Sequence, residues 1–507
     1  MNLSLISLEL WVVGLGLALL LVDLWVPAPF KRLLGYLAAL VVGFVFVLSF
    51  AFEGNLPVLK SSMESGRIVA DLPQFGFGQS YVMDGLALFF KRFFLVAAAL
   101  VLVMAAEFRE KLESGVTEYY SLILFALAGM MFAASANSFA VLFVSLELIT
   151  VTFYVLTSFQ RHRLQSLEAG VKYLILGALS SAFLIYGIAL VYGTTGTMSF
   201  DALAAKLGQS NGLEHPHELA HQPFLQLGLL LVLAGLGFKI AAVPFQVWAP
   251  DVYQGSPTPT TAFLAVGSKA AGFVLLLRLF QSVVPDVTYH WVKLLVILSA
   301  ATILYGNLCA LPQRNLKRLL GYSSIANAGY LLMGVAVMTK TGSAAVLYYL
   351  GGYLFTLLAA FTVIAIILRK SEVEDITALA GLNQRSPFLA AALTLAMVSL
   401  AGVPPLAGFF GKFLLFKAVL EEGATNPAFY GLAGVAIVGV VISIYYYFGV
   451  IRAIYWSEGA TDVSPLAVSW PNRLVLTVCI GGMFWLGILP NRLVEMAAEA
   501  VRLLRLG

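Results

Sequence analysis

Charge is what this sequence has least of. Asp, Glu, Lys and Arg make up 11% of its 507 residues, where a soluble globular domain carries about 25%. So few charges exclude a water-facing surface over most of the chain. Lipid is the solvent that accepts apolar side chains outward. A 60% hydrophobic composition and a mean hydropathy of +0.92 agree with it. The net charge of +4 gives no basic face for nucleic acid.

Cysteine is also scarce. Cys309 and Cys479 each lie in an apolar run, without CxxC spacing, which argues against a metal or iron–sulfur site in this chain. They read as small buried residues, and a disulfide between them has no support. No GxGxxG loop follows a strand. No histidine lies deep in an apolar segment. His215, His217 and His221 form the polar stretch "HPHELAH", which reads as a solvated loop rather than a metal site. The N-terminus has no basic n-region and no small-residue cleavage site, and Glu9 stands at the edge of its first long apolar run. That run reads as a membrane helix, not a removed signal peptide.

What is there in quantity is apolar runs of spanning length. A crossing needs about 20 mostly apolar residues. Fourteen windows qualify, roughly 8–26, 33–52, 84–106, 119–136, 138–158, 168–192, 223–248, 258–280, 290–311, 319–338, 343–368, 387–420, 428–455 and 473–490. The fold class expected is an all-α polytopic membrane protein. Fourteen lysines and arginines fall in the loops after odd-numbered helices, from Lys31 and Arg32 to Arg452 and Arg473. The loops after even-numbered helices hold four: Lys60, Arg67, Lys206 and Lys340. By the positive-inside rule the odd loops are cytoplasmic and both termini lie outside.

Some charges fall inside the spans. Lys91, Arg92, Arg278, Lys293 and Lys417 lie nearer helix ends and are expected to snorkel. Glu147, Lys239, Lys269 and Lys412 do not. A charge at the centre of a spanning helix costs about 2.5–3.5 kcal/mol, so four facing lipid would cost about 10–14 kcal/mol. Whole-protein stability is only about 5–15 kcal/mol. These groups should therefore face one another, other polar groups or water. Ser145, Thr150, Thr152 and Tyr154 lie within two turns of Glu147. Ion pairs that merely hold the bundle explain one Glu–Lys pair but not three further lysines. A proton relay explains them all, because an amine stripped of water can gain and lose a proton near neutral pH. Lys172 follows Glu168 by four residues, so it fits a helix-face ion pair as well as a relay.

Two of the lysines stand beside prolines. Pro244 and Pro250 follow Lys239, and Pro404 and Pro405 precede Lys412. Proline breaks a helix and frees backbone groups that need polar partners. A lysine beside a break in the seventh helix and again in the twelfth suggests two inverted five-helix repeats. The expected division is 1–110 with helices 1–3, 111–285 with helices 4–8, 286–457 with helices 9–13, and 458–507 with helix 14 and a tail. Tyr445, Tyr446 and Tyr447 beside Ser443, and Tyr348, Tyr349, Tyr353 and Thr356, are candidates for holding water in the second half, with aromatic packing as the simpler alternative.

"GFKIAAVPFQVWAPDVYQGSPTPTTAFLAVGSKAAGF", "QRNLKRLLGYSSIANAGYLLMG" and "GVPPLAGFFGKF" resemble the antiporter-like membrane subunits of respiratory complex I, and within that family the subunit N branch. The resemblance covers nearly the whole chain. It implies proton translocation driven by electron transfer from NADH to quinone in other subunits, through Glu147, Lys239, Lys269, Lys412 and Lys172. It also implies flavin, iron–sulfur clusters and quinone in partner subunits, and none in this chain. The implied partners are the antiporter-like subunit M and the small subunits K and J, with membrane lipid, protons and water. The implied location is the bacterial inner membrane. Asn327 departs from the histidine common in relatives. Two alternatives stay open: a multi-subunit sodium/proton antiporter, and a ferredoxin-dependent photosynthetic counterpart. Lys412, where those antiporter subunits usually carry glutamate, argues against the first.

Overall fold

In lipid every backbone N–H and C=O must find its partner inside the protein, and a helix does this within one segment. The computed structural model describes residues 3–55, 73–112, 114–208, 222–283, 288–370, 374–457, 464–502 and 504. The "HPHELAH" stretch lies outside them. The membrane helices are α1 Ser7–Val22, α2 Lys31–Asn55, α3 Gly85–Phe108, α4 Val116–Ala134, α5 Phe139–Thr157, α6 Leu164–Thr195 and α7 Pro223–Ile240. They continue with α8 Thr258–Phe280, α9 Thr288–Ala310, α10 Leu316–Ala336 and α11 Lys340–Lys370. Two pieces of α12 follow, Pro387–Ala401 and Ala407–Gly423, then α13 Ala428–Trp456 and α14 Trp470–Ile488. Asp84, Ser138 and Asn315 cap α3, α5 and α10 through their side-chain oxygens, which satisfies otherwise unpartnered N–H groups.

Fourteen crossings were expected. Among the described residues thirteen helices are long and apolar enough to cross. The remaining expected helix, 387–420, is the split α12. The seventh stops early too. Expected over 223–248, it ends at Ile240 with Ala241 in the left-handed region (φ 59°), and a separate short helix, Trp248–Gly255, follows. Pro244 and Pro405 lie in these two breaks, each after a cis peptide bond. Close approach also shapes the second break. A Cβ on Gly408 would sit 1.8 Å from the Ser399 carbonyl oxygen, so only glycine lets the two pieces of α12 lie this near.

The centre of the bundle is α8, α10 and α11: α8 is wholly buried and the other two nearly so. α6, α9 and α13 bury only about a third of the residues in their apolar stretches, with Val171, Ile175, Ile297, Val441 and Tyr445 among the exposed apolar groups. The one sheet among the described residues is a small hairpin, Gln74–Gly76 against Tyr81–Met83, which was not expected.

Loops after odd-numbered helices share one face. Lys31 pairs with Asp23 at 2.8 Å. Glu107 accepts from Arg32, Tyr36 and Arg369. Glu374 takes Arg163 and Lys317, and Asp251 takes Lys172 and Arg318. Like-sided placement of these loops is what an unbroken count of crossings requires.

Three expected snorkelling residues do something else. Lys91 is fully buried and pairs with Glu9 at 2.9 Å. Arg278 is buried against Asp84 at 2.7 Å. Arg92 donates to Ser49 and lies 4.0 Å from the Phe50 ring centroid. Each found an internal partner that sequence distance hid. Lys417 does lie exposed, beside Glu421. Lys317, expected in a loop, is inside α10 and 1% exposed.

Candidate functional site

The break after α7 makes a helix C-terminus inside the bundle, and Lys239 lies in its last turn. Its amine is buried and donates to the Thr150 hydroxyl on α5. The rings of Tyr173 and Phe238 stand 5.7 Å from it. Glu147, one turn before Thr150, is half-buried and accepts from Ser181 on α6. Glu147 and Lys239 feel each other's charge but form no direct ion pair. A hydroxyl holds each of them.

Lys412 repeats the arrangement at the second break. It donates to the carbonyls of Leu400 at 2.8 Å and Ala401 at 3.2 Å. These are the final residues of the first piece of α12, whose last carbonyls have no partner within the helix. A cation there also meets the negative end of the helix dipole. Gly402 must be glycine on two grounds: its φ is +85°, and a Cβ would lie 2.9 Å from Lys412 Cδ.

Lys269 lies in α8 directly after a π-helical turn, Leu264–Ser268. Such turns widen a helix and frequently mark functional positions. Its amine donates to both the carbonyl and the hydroxyl of Ser324 on α10. The exposures of Lys239, Lys269 and Lys412 are 5%, 2% and 5%, so none reaches lipid. Each is hydrogen-bonded to a different partner.

Polar side chains lie between Lys269 and Lys412. Ser324 Oγ also meets Tyr253 OH at 2.9 Å. The adjacent Ser323 bonds Tyr447. Asn327 donates to Ser323 at 3.4 Å and accepts from Tyr349 at 2.6 Å. Tyr446, packed on Tyr447, donates to Asn307 at 3.0 Å. Asn307 donates to Tyr330 at 3.3 Å, and the Tyr330 ring lies 5.2 Å from the Lys412 amine. Of the expected tyrosines, Tyr349, Tyr446 and Tyr447 are in this row. Tyr445 faces outward, and Tyr348 bonds the Leu486 carbonyl.

Lys172 stands apart. It is 42% exposed and paired with Glu168 and Asp251, each at 2.7 Å. Asp251 lies outside the spans. Burial works against its charge, but hydrogen bonds from Lys172 and Arg318 outweigh that and hold its carboxyl below the usual carboxylate range.

Ser181, Tyr173, Tyr253, Ser323, Ser324, Tyr330 and Asn307 were not foreseen as site residues. A signal existed for some: Ser323, Ser324, Asn327 and Tyr330 recur at helical spacing in "GYSSIANAGY", placing polar groups along an otherwise apolar helix.

Residues 136–443, which hold Glu147, Lys172, Lys239, Lys269 and Lys412, match the family described as NADH:quinone oxidoreductase/Mrp antiporter, TM. The chain belongs to this family. Within it the chain is 40% identical over 504 residues to NADH-quinone oxidoreductase subunit N of Trichlorobacter lovleyi, covering 99% of this chain and 98% of that one. It is 38% identical over 501 residues to subunit N of Desulforamulus reducens, covering 99% and 98%. Among solved structures, a chain of respiratory complex I from Thermus thermophilus with bound aureothin matches with a TM-score of 0.76 and 32% identity, over 97% of this chain and 99% of that one. A chain of the Mrp complex from Dietzia sp. shares the fold, with a TM-score of 0.80 at 20% identity, over 100% and 98%.

Proposed function

We propose that this chain is the subunit N-type proton carrier in the membrane arm of a NADH–quinone oxidoreductase. The observation that carries the reading is the burial of three amines, each held only by hydroxyls or carbonyls. A permanent ion pair would fix a proton in place. Hydroxyl and carbonyl partners hold the amine in either state, since a neutral amine still donates. Glu147 and Lys239 act as the loading pair, with Ser181 and Thr150 as their hydroxyl partners. Lys269 is the bridge and Lys412 the carrier toward the outside. Lys172, with Glu168 and Asp251, sets the charge near the first half.

In this reading helices 4–8 and 9–13 are two inverted units, each with a lysine at its broken helix. Both termini face outward from a bacterial inner membrane. Flavin, iron–sulfur clusters and quinone chemistry belong to partner subunits, with subunits M, K and J among the neighbours. High identity to subunit N chains over full length supports this over a sodium/proton antiporter.

The test is Lys239→Ala in the assembled complex. NADH oxidation with an artificial acceptor should persist, while protons moved per electron fall. Unchanged stoichiometry in that variant would falsify the relay.

A further inference from the structure

We propose that Glu374 and Lys317 form a proton inlet that opens from the loop face directly above Lys269. The inference rests on the relay reading and adds where its protons are taken up.

Glu374 lines a vestibule of about 550 Å³, together with Glu110, Lys111, Gln160, His162 and Arg163 among others. Its side chain is only 7% exposed. Burial opposes its charge, but Lys317, Asn315 and Arg163 together hold its carboxyl below the usual carboxylate range. Ionised, it can accept a proton from vestibule water.

Lys317 lies beneath it, with its amine 3.3 Å from the Glu374 carboxylate and donating to the Ser256 carbonyl at 2.9 Å. An ammonium has three N–H donors, and among the described residues these two partners use two of them. A small pocket of about 10 Å³, lined by Lys317, Glu374 and Asp375 among mostly apolar side chains, is at the lower edge of the room one water needs. A clamp between loops would not need a lysine sealed from solvent.

The way down follows one face of α10. Lys317, Gly321 and Ser324 are spaced by four and three residues, and the two turns between Lys317 and Ser324 span about 10 Å. Gly321 adds no side chain to that face, and Pro250 Cα and Tyr253 Cβ pack against it, 3.2 and 3.4 Å from where a Cβ would be. The Tyr253 hydroxyl reaches Ser324, which already holds Lys269. The Lys317 ammonium passes a proton through water and the Tyr253 and Ser324 hydroxyls to neutral Lys269, and the amine left behind takes a proton back from Glu374, which takes one from vestibule water. Each step breaks one N–H or O–H bond and forms one, so no other reactant is needed.

Arginine at 317 separates a relay from a clamp, because a guanidinium keeps the ion pair but does not give up its proton. The experiment compares Lys317→Arg, Lys317→Met and Glu374→Gln with Lys239→Ala in the intact complex, reconstituted in vesicles. Assembly is checked by NADH oxidation with an artificial acceptor. Expected is a fall in protons per electron in Lys317→Arg and Glu374→Gln equal to the fall in Lys239→Ala. Wild-type stoichiometry in Lys317→Arg and Glu374→Gln, with Lys239→Ala lowered, overturns the inlet and leaves the relay. Wild-type stoichiometry in all of them overturns both.

Discussion

Lys91 on α3 and Glu9 on α1 face each other at 2.9 Å with neither side chain exposed. The Tyr81 hydroxyl bridges them, accepting from Lys91 at 2.6 Å and donating to Glu9 at 2.8 Å. Such a pair ties the first helix and the hairpin to the bundle. Removing one partner leaves the other charge buried and unpaired, at a cost of about 3–5 kcal/mol. Lys91→Met or Glu9→Leu alone should therefore lower the melting temperature and the yield of assembled protein. The double variant should recover most of the loss. A double variant as unstable as the singles refutes this account.

Thr150 is the hydroxyl partner of Lys239. A hydrogen bond to a charged group contributes about 1.5–3 kcal/mol. Thr150→Val keeps the shape and removes the oxygen, so proton-coupled turnover should slow by about tenfold or more, with the fold intact by thermal melting. Thr150→Ser should restore it.

Asn327 joins Tyr349 to Ser323. Asn327→Ala opens that row and should reduce protons per electron. Asn327→His restores a polar link of similar reach and should retain transport. Transport unchanged in Asn327→Ala would take this residue out of the row.

Gly402→Ala strains a backbone at φ +85° and pushes a Cβ against Lys412. The backbone part costs about 1–3 kcal/mol. The amine should leave the Leu400 and Ala401 carbonyls, and the variant should keep redox activity while losing protons moved per electron.

Asp251 gives a pH signature. Its carboxyl in the folded chain titrates below its ordinary value of 3.8, so it stabilises the fold at neutral pH. That contribution is whole above the unfolded value and fades as pH falls from there through the lower folded value. Melting temperatures from pH 7 to pH 3 should fall more steeply for the natural chain than for Asp251→Asn, with the two curves converging in acid.

Much of the fold was legible because lipid imposes a simple rule. Apolar runs of spanning length must be helices, and among the described residues thirteen helices are long and apolar enough to cross. Lys239 and Lys412 were legible as buried for the same reason, since a cation in such a run has nowhere in lipid to go. The Lys91–Glu9 pair was not, because each residue stands near a helix end and the two are far apart in sequence. Lys317 was hidden likewise by a helix boundary that starts one residue before it.

The sequence by itself determined the membrane class, the approximate crossings, the two breaks and the presence of buried amines. All of these follow from local composition and from proline chemistry. Only the tertiary structure decided what each amine touches: a threonine for Lys239, a serine for Lys269, and the open end of its own broken helix for Lys412. Those partners come from other helices or from across a break. Their positions depend on how helices pack, which no single stretch of sequence encodes.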